Sequence, residues 1–472
     1  MSLDAAIIGS GPNGLAAAIE LARAGLKVRI HEAEPVIGGG CRSAALTLPG
    51  FTHDVCSAFH PLGAGSPYFK TLPLKEHGLE WVHPDVPLAH PLDDGTAVLL
   101  HRSVAETAAG LGEDAAMYRR LIGPLAARWS ELLDDITKPV LHVPRHPFLL
   151  ARFGLPALLP ANLSARAFRG TRARALYAGM AAHSFLPLDA PLTTAFAVSL
   201  ALSGHAVGWP FPRGGSQKIT DALASYLRAL GGEIATNDRI DAWSQLEKAR
   251  AYLFDTTPRA LERLAGDRLN TTYRRVLRGY KYGPGVFKID YALAGPMPWR
   301  AAEARRAGTV HLGGTFEEIA ASEKQISRGE IPDKPFMLVG QQSLFDPTRA
   351  PLGMQTLWTY CHVPSGSNVD MTARMEAQLE RFAPGWRSLV LKRSILTPRD
   401  IEAHNPNFIG GDISAGSHGG VQFIARPVLS FDPYATPTRE IYLCSAATPP
   451  GAGVHGLCGY NAATSALRRS FS

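Results

Sequence analysis

The chain has 472 residues, 46% hydrophobic and 19% charged, a balance typical of folded proteins with large buried cores rather than of disordered chains. This length exceeds one ordinary domain, so two or three domains are expected. The formal net charge is +7, yet no block of lysine or arginine resembles a nucleic-acid-binding tail, and we expect no nucleic-acid partner. The charge instead favours solubility, an anionic ligand or an anionic lipid surface.

The N-terminal segment carries the most informative pattern. An apolar run at residues 3–8 predicts a strand, G-x-G-x-x-G follows at residues 9–14, and an alanine- and leucine-rich helix comes next. The first glycine permits a tight turn, the second lets the backbone approach a pyrophosphate, and the third lets the helix pack on the strand. The strand predicted at residues 27–32 ends in Glu32, a carboxylate suited to an adenosine ribose. We therefore predict a dinucleotide site, and we interpret the first strand as part of the fold rather than as a signal peptide.

The cysteines argue against a metal or disulfide-based activity. The five are Cys41, Cys56, Cys361, Cys444 and Cys458. They are scattered and form no C-x-x-C, which disfavours zinc and dithiol flavoenzymes. We expect a reducing compartment, and so a cytoplasmic location, with peripheral contact with an anionic membrane left open. No metal-binding cluster of histidine and glutamate, no G-x-S-x-G elbow and no P-loop occur, and no metal is expected.

Two further glycine-rich motifs extend the pattern. Residues 32–43 read E-A-E-P-V-I-G-G-G-C-R-S, in which glycines follow the predicted ribose-binding acid and Arg42 is available as a phosphate or cofactor contact. Near the C-terminus, an apolar strand at residues 439–444 runs into T-P-P-G-A-G-V-H-G and then a helix predicted over 457–468. Backbone N–H groups and the positive end of a helix dipole there suit a flavin carbonyl.

These residues resemble the FAD-dependent phytoene and carotenoid desaturase-like oxidoreductases, within the wider amine-oxidase-like flavoprotein superfamily. The resemblance also includes P-R-G-G-S at residues 212–216, G-G-D-I at 410–413 and Arg426-Pro427. A-A-H-S at residues 181–184 with G-W-P at 208–210 looks closest to the "phytoene dehydrogenase-related" branch, so carotenoid desaturation itself is not implied. The C-terminal motif departs from the usual pattern, with Ser445 in place of a glycine and Pro449 in place of histidine or aspartate.

The resemblance implies an α/β fold of two domains: a Rossmann-like FAD-binding domain built from discontinuous segments, and a substrate domain of helices and mixed sheet. We assign residues 1–73, 209–258 and 427–472 to the FAD-binding domain. Residues 74–208 and 259–426 are assigned to the substrate domain. Within these segments the sequence predicts helices over residues 114–133, broken at the Gly123-Pro124 pair, 166–182, 219–230 and 371–381. Strands are predicted over residues 233–236, 251–255, 286–292, 335–339 and 355–363.

The resemblance also implies a set of contacts to non-covalently bound FAD. The pyrophosphate is expected at Gly9, Gly11, Pro12, Asn13 and Gly14. The adenosine half is expected at Glu32, Ala33, Ile240, Thr256, Thr257 and Pro258. The ribityl chain and isoalloxazine are expected at Gly39, Gly40, Cys41, Arg42, Ser445, Gly453, Val454, His455 and Gly456. The flavin is the redox centre, and the candidate acid–base groups are His60, His183, His205 and His455, although an ordinary hydrogen-bonded histidine is the alternative for each.

Two apolar segments bear on the substrate. Residues 190–212 contain no Asp, Glu, Lys or Arg, and we interpret them as a buried helix that lines a cavity over the flavin, with Ala197 and Ala201 in its wall. Residues 147–160 combine Leu and Phe with Arg152, which is typical of a shallow interfacial element. A buried substrate-domain helix is the alternative for that segment.

The resulting hypothesis is an FAD-dependent oxidoreductase that accepts a hydride from a hydrophobic small molecule, with oxygen or a quinone as the electron acceptor. The alternatives are an amine or alcohol oxidase, a redox-neutral flavin isomerase, and an FAD-loaded binding or assembly protein whose flavin is structural. The motifs do not identify the substrate.

Overall fold

The computed structural model describes residues 3–472, which form two large sheets, each covered by helices, and two small sheets of two strands each. The strands are β1 Ala5–Ile8, β2 Val28–His31, β3 Ser43–Ala44, β4 His53–Asp54, β5 Trp81–Val82, β6 Val86–Pro91, β7 Ala97–Leu100, β8 Phe211–Pro212, β9 Glu233–Ala235, β10 Ala251–Phe254, β11 Gly285–Leu293, β12 Ala307–Leu312, β13 Met337–Gly340, β14 Gln355–Val363, β15 Val390–Leu396 and β16 Ile441–Leu443.

The α-helices follow in the same numbering. They are α1 Pro12–Arg23, α2 Pro61–Gly65, α3 Val104–Ala109, α4 Ala115–Ala126, α5 Trp129–Ile136, α6 Pro147–Ala157, α7 Ala161–Ser164, α8 Thr171–Ala182, α9 Thr193–Ala206, α10 Gln217–Ala229, α11 Pro258–Ala265, α12 Thr271–Arg278, α13 Phe316–Ser327, α14 Thr372–Phe382, α15 Pro398–His404, α16 Val421–Ile424 and α17 Leu457–Ser470.

The first sheet has five parallel strands in the order β16-β10-β1-β2-β9. Alternate residues of β1 face opposite sides, because strand side chains alternate. Ala5 and Ile7 pack with α1, α10 and α17, whereas Ala6 and Ile8 pack with α11 and α12. A parallel sheet with helices on both faces is the α/β, Rossmann-like architecture, and its strands come from residue ranges far apart in the chain.

The helices that cover the first sheet extend beyond one predicted domain boundary. The sequence analysis ended the middle segment of the nucleotide domain at residue 258, but α11 and α12 lie beyond it and cover one face of the first sheet. Leu261, Leu264 and Leu277 are buried there against strand residues such as Phe254. The first layer therefore extends to about Tyr280, because the apolar face left open on the sheet needs a covering helix.

The second sheet has seven strands in the order β15-β11-β14-β13-β12-β6-β7, and the pair of β12 with β6 is parallel while the other pairs are antiparallel. Helices α4, α6, α8, α9 and α13 share a core with one of its faces. Helix α14 and residues 297–304 share a second core with the other face. This mixed sheet with helices is the predicted architecture of the second domain.

Two helix predictions differ from the structure for identifiable reasons. Helix α4 continues through Pro124 and ends at Ala126, because a proline in the last turn removes only one late hydrogen bond. The helix predicted from residue 166 begins as an α-helix at Thr171. The Asp114 carboxylate accepts hydrogen bonds from the backbone N–H groups of Arg169 (2.9 Å) and Gly170 (2.7 Å), which holds the chain extended before the helix.

In the described part of the chain, residues 3–472, no single helix meets the length and apolarity needed to cross a membrane. One bent pair passes that test by length and composition, with Pro147–Ala157 and Ala161–Ala167 meeting at 97°.

Candidate functional site

The glycine-rich turn between β1 and α1 is packed so tightly against its neighbours that its glycines have no room for a side chain. A Cβ atom on Gly9 would lie 2.9 Å from the Asp255 carbonyl oxygen, and one on Gly14 would overlap the Gly9 carbonyl oxygen. Gly9 also has a φ of +103°, which favours glycine. The backbone N–H groups at the start of α1 are thus presented at the carboxyl edge of the sheet, the arrangement that binds a pyrophosphate.

Asp255, which follows β10, occupies the mouth of this turn. Its Oδ2 atom accepts a hydrogen bond from the Gly14 N–H at 2.9 Å and lies 2.6 Å from the Cβ position of Gly11. Burial raises the pKa of Asp255 to about 7; the Gly14 hydrogen bond opposes this rise and the nearby Glu32 adds to it. A carboxyl group therefore fills part of the space to which the sequence assigns a phosphate, and sequence reasoning did not single it out.

Glu32 lies at the end of β2 and is only 8% exposed. Its carboxylate accepts hydrogen bonds from the Ser10 N–H (2.9 Å) and hydroxyl (2.5 Å) and from the Glu34 N–H (2.9 Å). Residues 237–240 run beside it, since the Asp238 N–H donates to the Glu32 carbonyl. Ile240, the predicted backbone partner of adenine, packs its side chain on the face of the first sheet. Ala33 is half-buried in the same turn.

The second glycine motif crosses directly over the first. A Cβ atom on Gly39 would lie 3.3 Å from the Gly11 Cα atom, so the two loops are in contact. Cys41 is buried, and burial raises the pKa of its thiol to about 12, which keeps it protonated. Arg42 donates hydrogen bonds to the carbonyl oxygens of Gly39 (3.1 Å) and His404. The predicted contact of Arg42 with a phosphate or the cofactor remains a prediction.

A segment that the sequence analysis did not assign to the site covers these loops. Residues 404–408 lie over the second glycine motif, with the Phe408 ring 3.0 Å from the Cβ position of Gly40. The Asn407 carboxamide oxygen accepts the N–H of Thr257 at 3.0 Å. Thr257 in turn caps α11 through its hydroxyl, which accepts the Ala260 N–H at 3.1 Å. The predicted contacts of residues 256–258 with adenosine remain a prediction.

The C-terminal loop meets the first helix at the same edge. A Cβ atom on Gly459 would overlap the Asn13 carbonyl oxygen, so α17 and α1 are in close contact. His455 Nδ1 accepts the Leu457 N–H at 3.0 Å, and burial lowers the pKa of His455 to about 4. The neutral ring therefore carries its proton on Nε2. Among residues 3–472, neither this Nε2 nor the Asn13 Oδ1 has a hydrogen-bond partner, and both buried atoms are available to a bound group.

The structure brings His60 to the loop of residues 453–456. A Cβ atom on Gly63, three residues along, would lie 2.6 Å from the Val454 carbonyl oxygen, and one on Gly453 would lie 2.8 Å from the Leu62 side chain. His60 Nε2 is 2.8 Å from the Ser216 hydroxyl, within the predicted P-R-G-G-S motif, and burial lowers the pKa of His60 to about 4. Four separately predicted motifs thus meet at one edge of the first sheet. Ser445, at the end of β16, lies on this edge too.

His183 and His205 are placed differently. The His183 ring lies 6.0 Å from Trp209 and its Nε2 is 3.0 Å from His311 Nε2, inside the second domain. His205 has both ring nitrogens occupied, Nε2 by the Tyr118 hydroxyl at 2.7 Å and Nδ1 by the Arg102 carbonyl at 3.2 Å. The structure therefore does not support His205 as a catalytic group; it is an ordinary hydrogen-bonded histidine.

A buried charge cluster, missed in the sequence, connects the second glycine motif to the second sheet. Asp54 and Arg349 form an ion pair of 2.6 Å, and both are at most 1% exposed. Burial opposes ionisation of Asp54, yet the Arg349 guanidinium and hydrogen bonds from Ser216 and Ser43 together lower its pKa. The Ser43 hydroxyl donates to Asp54 at 2.7 Å, one residue after Arg42.

A second buried pair lies beside the first. Lys288 and Asp290 form an ion pair on β11, and burial raises the pKa of Asp290 to about 6. His53, next to Asp54, has its Nδ1 atom 3.6 Å from Asp290. The sequence does contain a signal for this pair. Lys288 and Asp290 are the two charged residues of a strand that is otherwise mostly apolar, and their alternate positions place both side chains on one face.

The uncharged segment forms helix α9, but its predicted cavity wall is wrong in detail. Ala197 and Ala201 are 0% and 1% exposed and belong to the core that includes α8. The partly accessible positions of α9 are Ala195, Phe196, Val198, Ser199, Leu200 and Ala206. The Phe196 ring faces His418 at 4.9 Å. With every residue type in the segment uncharged, composition alone could not tell which face is accessible.

Comparisons with known proteins agree with this geometry. Residues 7–72 match the NAD(P)-binding Rossmann-like domain family. The chain is 26% identical to the rat pyridine nucleotide-disulfide oxidoreductase domain-containing protein 2, over 98% of this chain and 92% of the relative. It is 25% identical to a lycopene-forming phytoene desaturase of Pseudescherichia vulneris, over 60% of this chain and 61% of the desaturase.

Solved structures share the fold. An oxidoreductase from Methanosarcina mazei is 16% identical with a TM-score of 0.67, covering 99% of this chain and 100% of that one. A cyclohexylamine oxidase from Brevibacterium oxydans is 15% identical with a TM-score of 0.61, covering 100% of this chain and 99% of that one. The fold and the glycine-rich turn are those of a dinucleotide-binding protein. The chain is similar in sequence to phytoene desaturases, and it shares its fold with solved oxidoreductase structures.

Proposed function

We propose that the chain binds FAD non-covalently and uses it to oxidise a hydrophobic small molecule by accepting a hydride, in the manner of a desaturase or dehydrogenase. The observation that carries the proposal is the meeting of the G-x-G-x-x-G turn, the residues 38–42 loop, His60 and the residues 453–456 loop at the carboxyl edge of the parallel sheet. Ligands of open α/β sheets bind at that edge.

The residues at this edge fit a flavin dinucleotide. At Gly9, Gly11 and Gly14 a side chain would collide with neighbouring atoms, so glycine keeps the backbone of this turn free of side chains where a pyrophosphate would approach. The Asn13 Oδ1 and His455 Nε2 atoms, which lack a hydrogen-bond partner within the described chain from residue 3 onward, are two buried polar atoms that a bound ligand can satisfy. The Asp255 carboxyl is the feature of the site that opposes a phosphate, and it must become protonated or move.

Bound FAD supplies a hydride acceptor, so the protein has to orient the substrate and exclude water. Aromatic side chains suited to that task lie between the site loops and the second sheet. The Phe59 ring is 5.5 Å from Phe211 and 6.5 Å from Trp358. A hydrophobic substrate fits such a wall better than an ionised one, because an unpaired charge is costly there.

The electron acceptor of the proposed reaction is oxygen or a quinone. Anaerobic photoreduction of the holoprotein, followed by mixing with air-saturated buffer or with a soluble quinone, measures which acceptor reoxidises the flavin. We expect rapid reoxidation by at least one of them, as a turning-over enzyme requires. If neither reoxidises the flavin faster than free reduced FAD reacts, the flavin is structural and the proposed oxidoreductase function is wrong.

A further inference from the structure

Helices α6 and α7 with the turn between them, residues 147–164, form a surface whose two faces differ sharply. Leu149, Phe153 and Ala157 repeat every four residues and are buried in the core of the second domain. Phe148 and Leu155 lie on another face and are 92% and 69% exposed. The exposed stripe continues through three further residues, Leu158, Leu159 and Leu163. Contiguous apolar exposure of this kind marks an interaction site.

The same region is strongly cationic. Residues 136–188 contain seven lysines and arginines and no aspartate or glutamate. Arg152 is four residues after Phe148 and three before Leu155, so it belongs to the exposed stripe. Arg166 and Arg169 are also exposed. Among residues 3–472, no acidic partner is recorded for these three arginines, so the surface complements a negatively charged partner.

A cleft beside α6 combines the two properties. Its volume is about 190 Å³, and it is lined by Pro124, Arg128, Phe148, Leu149 and Arg152. The Arg128 guanidinium is paired with Glu131 at 2.5 Å. The Arg152 guanidinium donates to the Arg120 carbonyl at 3.4 Å and has no carboxylate partner among residues 3–472, so it is the cation of the cleft that is open to a ligand. An apolar wall next to one cation suits a phosphate headgroup and the first carbons of its acyl chain.

The surface is tied directly to the uncharged helix α9. The Leu192 N–H donates to the Leu158 carbonyl at 3.2 Å, and the Thr194 N–H donates to the Leu159 carbonyl at 3.3 Å. The Ala161 N–H donates to the Thr193 hydroxyl at 2.7 Å. The exposed turn therefore has a fixed position relative to the core, which lets the apolar stripe insert without the fold rearranging.

We propose that residues 147–164 dock the protein on the surface of a bilayer that contains anionic phospholipid. Phe148 and Leu155 enter the interfacial region, and Arg152 lies at the level of the lipid phosphates. The element lies on the membrane and does not cross it, because one face of α6 belongs to the protein core and the two helices bend by 97°. The inference does not depend on the flavin chemistry.

Flotation with lipid vesicles tests this docking. The folded protein is mixed with phosphatidylcholine vesicles, with or without phosphatidylglycerol, at low and high salt. We expect flotation only with the anionic vesicles, and a loss of binding as salt screens the arginines. Arg152→Gln should lower partitioning about fivefold, and Phe148→Ser with Leu155→Ser should lower it by about tenfold or more. Leu352→Ser, at a fully exposed apolar residue elsewhere, is the matched control and should bind normally.

Circular dichroism and thermal melting establish that each variant remains folded. The proposal is overturned if the wild type stays with the soluble fraction, if neutral vesicles bind it equally well, or if the Phe148→Ser, Leu155→Ser variant floats like the wild type. It is also overturned if light scattering shows a wild-type oligomer that this double variant dissociates while neither binds vesicles. The surface is then covered by a second copy of the chain.

Discussion

The Asp255 carboxyl predicts a proton-linked cofactor site. At an effective dielectric constant of about 20, one ionised carboxylate and one phosphate charge about 4 Å apart repel by ~4 kcal/mol. Because burial places the pKa of Asp255 at about 7, the carboxyl is neutral below that pH and ionised above it. Above pH of about 7, FAD binding therefore requires uptake of one proton, and its Kd should rise about tenfold per pH unit.

Asp255→Asn is the informative variant, because its carboxamide oxygen can still accept the Gly14 N–H while the charge is gone. Flavin fluorescence during titration of apoprotein with FAD, repeated across this pH range, gives the Kd. We expect the Kd for FAD to change little with pH in Asp255→Asn and to rise steeply with pH in the wild type. The control Asp241→Asn, which changes an exposed aspartate, should show the same steep rise as the wild type. Equal slopes in wild type and Asp255→Asn would refute the reasoning.

The raised pKa of Asp255 also predicts that the stability of the apoprotein depends on pH. An aspartate whose folded pKa is raised holds its proton in the folded state up to about pH 7, whereas the unfolded chain loses it near 3.8. Stability should therefore fall as pH rises between those values. Above that window, thermal melting should show a higher Tm for apo Asp255→Asn than for the apo wild type, and a lower or equal Tm would contradict the assignment.

Three further predictions address the cofactor site, the charge cluster and helix α9. Gly11→Val should abolish FAD binding through the clash at the turn, whereas Glu32→Ala should weaken it by ~1.5–3 kcal/mol; equal, negligible effects by FAD titration would exclude this turn as the cofactor site. Arg349→Met should cost about 3–5 kcal/mol in urea unfolding by leaving Asp54 buried and unpaired; an unchanged midpoint would contradict the charge pairing. Ser199→Trp should slow turnover with FAD content intact, whereas Ala197→Trp should overpack the core and lower Tm; wild-type turnover in Ser199→Trp would exclude that face of α9 from the substrate cavity.

The parts of the fold predicted from sequence are those in which local chemistry dictates the backbone. The turn at residues 9–14 requires glycine for close approach, and the strand of residues 355–363 is rich in the Thr, Trp, Tyr and Val types that favour strands, so both were found at their observed positions. Helices α11 and α12 were missed as members of the first layer. Their assignment depends on which sheet face is left uncovered, and that is a property of the assembled fold.

The residues of the candidate site also divide into those that local sequence motifs predict and those that only the assembled fold brings together. Gly39 and Gly11 were predicted from motifs and do contact one another. Asp255 and residues 404–408 were not, because nothing in their local sequence indicates that they reach the glycine loops across more than a hundred residues. Arg349 was not predicted either, because its partner Asp54 is equally distant in sequence. The sequence also could not show that His205, a candidate acid–base group, is hydrogen-bonded to the Tyr118 hydroxyl, because the two residues are distant in sequence.

The cofactor content of the purified protein tests the central claim most directly. The protein is precipitated with trichloroacetic acid, and the supernatant is analysed by absorbance and chromatography against FAD, FMN and nicotinamide standards. The account predicts a yellow protein that releases about one FAD per chain into the supernatant. Colour retained in the pellet would contradict non-covalent binding. A colourless protein that neither contains FAD nor binds it when supplied would contradict the flavoprotein function itself.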